Sequence, residues 1–335
     1  SCFGGCHPSG SQVDRIETRM EPKAIAVTGA TGFVGRTIAG ELVQAGYRVV
    51  GWSRRLPAPL ECLPGVDYRV KDLSSAPISA ADFVGVDLLI HAAAHVHRQR
   101  PTQDDLRAFQ SINVEASERI AARAAEAGVR RLIYISSAGV YGRSTKGEPL
   151  TRGCATQPVE SYAESKLEGE RRVQAAFSGV DREVLIVRLP MVIGAGAPGR
   201  FSAMIRWMNH GLPVPVPSRP NRRSVVDVRD VAGFLTKAIR SSVGWGEPWL
   251  IASQQPISSI EMAAAIARGL GRPCRFVIFP EWVTRHLSKL PVIGRSFLPL
   301  FEDFELDCSE TMSRFNWSPA FSSTDAVDNA VRGLL

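Results

Sequence analysis

Short apolar runs alternate with longer stretches of helical spacing along the first 190 residues of the chain. The run KAIAVTG (23–29) ends in glycine, and ATGFVGRTIAGELVQAG (30–46) then spaces apolar residues helically through Phe33, Ile38 and Leu42. Such a switch predicts a strand followed by a helix. YRVVGWSR (47–54), VDYRVKDL (66–73) and VDLLIHAAA (86–94) read as three further strands, the last apolar enough to be buried on both faces. A long Ala-rich helix is expected over 103–127, closed by Gly128. RLIYISS (131–137) is then a fifth strand, 159–177 a helix and EVLIVRLP (183–190) a sixth strand. Strands alternating with helices imply right-handed crossovers and a parallel sheet covered on both faces. The expected fold is α/β, a Rossmann-type doubly wound parallel sheet.

The pattern changes after Pro190. GAGAPGR (194–200), GLPVPVPSRPNRR (211–223) and LPVIGRSFLPLF (290–301) are rich in Pro and Gly, and short helices and strands fall between them. This half reads as a smaller C-terminal α/β lobe that takes the substrate. SVVDVRDVAGFLTKAIR (224–240) is expected to return to the first unit as a strand and a helix. The expected division is 20–187 plus 224–252 for the NAD(P)-binding domain and 188–223 plus 253–335 for the substrate lobe. Residues 1–19 are Gly/Ser-rich, lack periodicity and precede Met20, so they read as a flexible extension outside the fold. SSIE (258–261) has capping-box spacing and marks a helix start.

Composition narrows the function classes. The 335 residues are 44% hydrophobic and 22% charged, with a formal net charge of +7. No uncharged apolar run reaches the roughly 18 residues of a membrane span, and the first twenty residues lack the apolar core of a signal peptide. A cytoplasmic protein is expected. The basic, apolar stretch 281–301 leaves open a peripheral contact with a membrane surface, a helix packed in the lobe or a dimer contact. The six scattered Cys look like reduced thiols. Cys2, Cys6 and His7 lack a second ligand pair, so no metal is expected. The positive charge suits an anionic partner. No aromatic-interleaved basic stripe or nucleic-acid motif accompanies it, which favours a phosphate-bearing small molecule.

TGATGFVG (28–35) spaces Gly29, Gly32 and Gly35 at three-residue intervals between the first strand and the first helix. Glycine there permits a tight turn, close backbone approach to a pyrophosphate and close helix–strand packing, while the helix N-terminus offers unpaired N–H groups. Thr31, Phe33 and Val34 complete this expected cofactor turn. The next strand ends in Ser53, Arg54 and Arg55, where a carboxylate would bind the ribose hydroxyls and repel a 2′-phosphate. A guanidinium there favours NADP(H), with NAD(H) as the alternative and Arg36 as a second contact.

ESYAESKLEGE (160–170) is a polar helix that carries Tyr162 and Lys166 one turn apart. Alone this is an ordinary ladder of i,i+4 side chains. Together with TGATGFVG, KDL (71–73), HAAA (91–94), INVEAS (112–117), ISSAGVYG (135–142), VRLPMVIGAG (187–196) and RRSVVDVRDVA (222–232), it resembles the extended short-chain dehydrogenase/reductases, the NAD-dependent epimerase/dehydratase family. The resemblance runs from Met20 to Leu335, and its specificity lies in the ordered combination of motifs. It implies that Ser137, Tyr162 and Lys166 are catalytic, with Ser137 rather than Ser136 chosen by its distance from Tyr141. It further implies that Asp72 and Leu73 contact adenine, that Ala92, Ala93 and Ala94 leave room along the ribose and pyrophosphate, and that Asn113 is structural beside the cofactor. Pro190 joins the cofactor side and Met191 the substrate side. Chemically, a phenol with a pKa near 10 needs help to exchange protons at neutral pH, and the Lys166 ammonium would favour its phenolate.

For the substrate, the resemblance places Arg222 and Arg223 near a nucleotide-sugar diphosphate, and His97 in the substrate loop. His95 and His97 have no carboxylate or Cys close in sequence, so solvated or substrate-facing imidazoles are expected rather than a metal pair. The His-x-His stretch, NRRS (221–224) and Trp317-x-Pro319 look like bacterial enzymes that act on UDP-sugars for surface polysaccharides. The first reading is a reductase of a UDP-4-keto-6-deoxy-N-acetylhexosamine. The alternatives are a UDP-hexose 4-epimerase with retained NAD+, an NADPH-dependent reductase of a non-sugar ketone, and a silent binding protein. The last is disfavoured by the complete Ser-Tyr-Lys set. A homodimer through paired helices, frequent in the family, is left open.

Overall fold

The first strand, β1 (Ala24–Thr28), is buried at all five positions, as a central parallel strand should be. The computed structural model describes residues 21–96, 101–145, 147–279 and 302–333. After β1 come β2 (Arg48–Ser53), β3 (Val66–Val70), β4 (Leu88–His91), β5 (Arg131–Ser137) and β6 (Glu183–Leu189). The later strands are short: β7 (Met191–Ile193), β8 (Val214–Pro217), β9 (Val225–Asp227), β10 (Pro248–Leu250) and β11 (Phe276–Phe279). Seven of them form one parallel sheet in the order β10-β6-β5-β4-β1-β2-β3. The expected doubly wound sheet is therefore present. From β1 the chain winds outward through β2 and β3, then returns to β4 and winds the other way. The switch point lies between β1 and β4, and the crevice at their carboxyl ends is where such sheets bind ligands.

The helices are α1 (Phe33–Gln44), α2 (Gln103–Ala108), α3 (Ser117–Glu126), α4 (Ser161–Ala176), α5 (Arg200–Asn209), α6 (Val228–Arg240), α7 (Ser259–Gly269), α8 (Ser309–Phe315) and α9 (Ser323–Arg332). Strand alternation sends neighbouring side chains to opposite layers. Ile25 and Val27 join α1 and α6 through Ile38, Leu42, Phe234 and Leu235. Ala26 faces the other layer, with Ile120 and Ala124 of α3 and Val173 of α4. A separate core gathers Phe201, Met204 and Met208 of α5 with Met262 and Ile266 of α7 and Val327 and Val331 of α9.

One expectation is corrected. The stretch 103–127 is not one uniform α-helix, because Phe109–Ala116 is wound as a π-helix between α2 and α3. Its wider turns bury Phe109, Asn113, Val114 and Ala116 together, and such segments recur at functional sites. The strand of 224–240 does not enter the large sheet. It pairs as β9 with β7, with Val225 in the smaller core and Val226 in the larger one, while α6 packs against α1. Residues 1–19, His97 and 281–301 lie outside the described residues. Among the described residues no helix is long and apolar enough to cross a membrane.

Candidate active site

Gly29 has a left-handed φ of 70°, and a Cβ there would lie 2.9 Å from the Ala93 Cα. A Cβ on Gly35 would lie 2.2 Å from the Gly29 carbonyl oxygen, so α1 can approach the end of β1 this closely only with glycine. Gly32 is the N-cap of α1, without a side-chain cap or an acidic residue in the first turn. Thr31 and Gly32 are exposed, and Phe33 and Val34 are half-buried. An uncapped helix N-terminus beside a turn stripped of side chains fits a pyrophosphate. Gly35→Ala is expected to lower Tm by several degrees and to abolish dinucleotide binding, since overpacking costs about 1–3 kcal/mol; thermal unfolding and a fluorescence titration with NADPH check both.

Along the same rim, Ser53 is buried and its hydroxyl donates to the Arg55 carbonyl at 2.7 Å. Ser53 thus shapes the loop, and exposed Arg54 is left to reach outward. Arg36 is turned to the Glu61 carbonyl. Hydrogen bonds from the Ser74 hydroxyl and backbone hold the Asp72 carboxyl below its usual range, and the Arg54 charge contributes. Leu73 is packed in the core, where Arg119 donates to its carbonyl at 3.1 Å. At the end of β4 the Thr28 hydroxyl accepts from Ala93 N (3.1 Å) and meets His91 Nδ1 (2.6 Å). His91 Nε2 reaches Ser117. Burial drives this imidazole down to about 3, so it is neutral and its role is to fix the rim. Ala92, Ala93 and Ala94 are half-buried beside it.

Asn113 uses its whole side chain. Its Oδ1 accepts from His95 N at 2.7 Å, and Nδ2 donates to the His95 carbonyl and to Ser165 Oγ (2.9 Å). The π-helix thereby ties the loop after β4 to α4. His95 does meet a carboxylate, Asp105 at 2.8 Å, which chain folding rather than sequence proximity supplies. Among the described residues no group of three or more His, Cys, Asp or Glu side chains could hold a metal.

Ser137 and Tyr162 line one cleft of about 250 Å³ together with Leu189, Pro190, Met191, Phe201, Arg223 and Phe304. Arg143, Glu160 and Glu302 also line it. Ser136, by contrast, donates to buried Glu170 at 2.5 Å and is not among the lining residues. Ser137 Oγ accepts from Gly139 N at 3.1 Å, and that contact leaves the hydroxyl proton to be donated. Lys166 is 1% exposed and lies 4.0 Å over the Tyr134 ring. Burial drives its amine down to about 7, against an opposing pull from Glu170. The Tyr162 phenol is pushed up to about 12 by burial. This shift runs upward, opposite in direction to the depression expected from Lys166. Of the arginine pair, Arg223 lines the cleft, while Arg222 makes a bidentate bridge to Glu305 at the surface and is not among the lining residues.

The motif reading assigned no role to Glu170 or Arg188 and used Tyr141 only as a marker of spacing. Arg188 donates to Glu170 from Nε (3.0 Å) and Nη2 (2.7 Å), and from Nη1 to the Tyr141 hydroxyl (2.6 Å), all buried. Glu170 continues the i,i+4 series of Tyr162 and Lys166 along one face of α4.

Fold and site define a dinucleotide-dependent enzyme of the extended short-chain dehydrogenase/reductase type. The chain belongs to the NAD dependent epimerase/dehydratase family, which it matches over residues 25–252. It is 26% identical to a UDP-glucose 4-epimerase of Vibrio cholerae over 95% of this chain and 97% of that protein. It is 31% identical to the dTDP-6-deoxy-L-talose 4-dehydrogenase (NAD(P)(+)) of Kitasatospora kifunensis over 53% of this chain and 55% of that one. Its fold matches the UDP-glucuronic acid 4-epimerase of Bacillus cereus, solved with UDP-glucuronic acid and NAD, with a TM-score of 0.76 at 18% identity, covering 93% and 98% of the two chains.

Proposed function

We propose that the protein is a nucleotide-sugar oxidoreductase acting at C4, and that it reduces the 4-keto group of a UDP-4-keto-6-deoxy-N-acetylhexosamine. The observation that carries this reading is the shared cleft of Ser137 and Tyr162 at the carboxyl end of the sheet, with Lys166 buried one helical turn from Tyr162. The Gly29–Gly35 turn, Ala92–Ala94, Asp72 and Arg54 would hold the dinucleotide. When bound, it supplies the hydride. Tyr162 donates a proton to the developing sugar oxygen, Ser137 hydrogen-bonds that oxygen, and Lys166 holds positive charge beneath the pair. Leu189, Pro190, Met191 and Phe201 form an apolar wall suited to the C6 methyl of a 6-deoxy sugar. Arg223 in the same cleft favours the diphosphate.

A second reading, a UDP-hexose 4-epimerase with retained NAD+, is favoured by the nearly full-length similarity to the Vibrio cholerae enzyme. An assay with UDP-4-keto-6-deoxy-N-acetylglucosamine and NADPH or NADH separates the two. Stoichiometric loss of reduced-nicotinamide absorbance supports the reductase. Interconversion of UDP-hexoses without it supports the epimerase, and if neither is seen the nucleotide-sugar assignment falls.

Exposed Arg54 carries the preference for NADP(H). Arg54→Ala is expected to raise the KM for NADPH about 10-fold or more, the worth of a charge-assisted phosphate contact, with NADH kinetics unchanged. Equal effects on the two dinucleotides would assign Arg54 to the shared part of the cofactor or to the loop alone.

A further inference from the structure

Behind the cleft wall lies a buried ion pair that the reaction as written does not use. Glu170 is 2% exposed and Arg188 6%. The Glu170 carboxylate accepts three hydrogen bonds, one from Ser136 on β5 and two from Arg188 on β6. Arg188 passes the connection to Tyr141, whose hydroxyl donates to the Arg152 carbonyl at 3.0 Å. Each partner is adjacent to a segment of the cleft. Ser136 precedes Ser137, and Arg188 precedes Leu189, Pro190 and Met191. Glu170 itself lies one turn beyond Lys166 on α4. One carboxylate therefore joins the strand, the helix and the wall on which the site is built.

The charges around Lys166 make Glu170 distinctive. Tyr134 from β5 offers a ring face and its phenol stays protonated, because burial raises it well above the usual range. His91 from β4 is neutral. Tyr162, on the same helix, is neutral as well. Arg188 from β6 is a cation already bound to Glu170. The negative charge that acts on the buried amine is that of Glu170.

We propose that Glu170 is a positioning residue of the active site: held by Ser136 and Arg188, it fixes Ser137 and the Leu189–Met191 wall in one arrangement and sets its negative charge one helical turn from Lys166. The inference rests on the assignment of Tyr162 and Lys166 to proton transfer. Its first test needs no substrate.

The full chain is labelled with 13C at lysine Cε, and the Lys166 resonance is identified by its loss in Lys166→Met. Glu170→Gln is expected to shift the Lys166 midpoint to lower pH by about one unit or more, the effect of losing a close opposite charge. The alkaline limb of the kcat profile for 4-keto reduction should move by a similar amount, with the KM for the dinucleotide changed less than kcat. A folded Glu170→Gln protein with an unmoved Lys166 midpoint overturns the proposal. Glu170→Gln leaves Arg188 buried without its counter-charge and can fail to fold for that reason. The double variant Glu170→Met/Arg188→Met removes both charges, and replacement of a buried pair by apolar residues is often neutral. It is expected to fold and to retain the acid shift of Lys166; a wild-type midpoint in it overturns the proposal. If the midpoint moves but no sugar nucleotide is turned over, the substrate reading fails and the Glu170–Lys166 coupling stands.

Discussion

Tyr162→Phe is expected to lower kcat by about 10²–10⁴, the usual worth of a positioned proton donor, while dinucleotide affinity stays within a few-fold. The substitution removes one oxygen and keeps the ring, whose edge-on packing against Phe109, at 6.0 Å between centroids, is retained. Tm should therefore be unchanged within a degree or two, and the loss cannot be assigned to misfolding. Burial holds the phenol up to about 12 in the protein alone. A group in that state is protonated at every physiological pH and is ready to give a proton, as reduction of a ketone requires. The reverse direction, or an epimerase that must run both, needs the phenolate. Steady-state kcat with a 4-keto sugar nucleotide and a fluorescence titration with NADPH give the two numbers. A kcat within tenfold of wild type would remove Tyr162 from the chemistry.

The central sheet was legible because its inner strands are buried on both faces. Ile25, Ala26 and Val27 form a continuous apolar run that a half-exposed strand would not show. The glycine turn was legible because Gly29 and Gly35 answer to backbone geometry, an unusual φ and a carbonyl within reach of a Cβ. Other features depend on partners far away in sequence. The π-helix at Phe109–Ala116 is held by Asn113 bonding to His95 and Ser165, 18 and 52 residues distant, and no local periodicity encodes those bonds. Arg222 and Arg223 are adjacent and chemically identical, yet Glu305 takes one and the cleft receives the other. Glu305 lies 83 residues further along the chain. Glu170 is the instructive omission. It stands in the same helical row as Tyr162 and Lys166, but Glu164 and Glu168 nearby are solvated, and one sequence does not distinguish a buried carboxylate from exposed ones.

Lys166→Met should abolish turnover and, without dinucleotide, make the protein more stable at neutral and acidic pH. A lysine in water titrates near 10.5, and burial lowers Lys166 to about 7. Between those values the unfolded chain binds a proton that the folded chain gives up, so wild-type stability rises with pH across that interval. Below about pH 7 both states are protonated, and the whole cost of an ammonium in the interior falls on the folded state. Methionine has nearly the same shape and no charge to desolvate. The expected gain is a few kcal/mol at pH 6, shrinking toward zero near pH 10.5. Two favourable contacts are lost with the charge, the cation–π contact with Tyr134 and the attraction of Glu170, and they hold the gain below the full desolvation cost. Thermal unfolding of both proteins at pH 6 and pH 10 checks the prediction through the difference of differences. An equal Tm shift at the two pH values would mean that the wild-type amine is not depressed, and the electrostatic account of the site would go with it. A pH-dependent gain would instead identify a buried cation retained at the expense of stability, as sites that need a charge away from water commonly require.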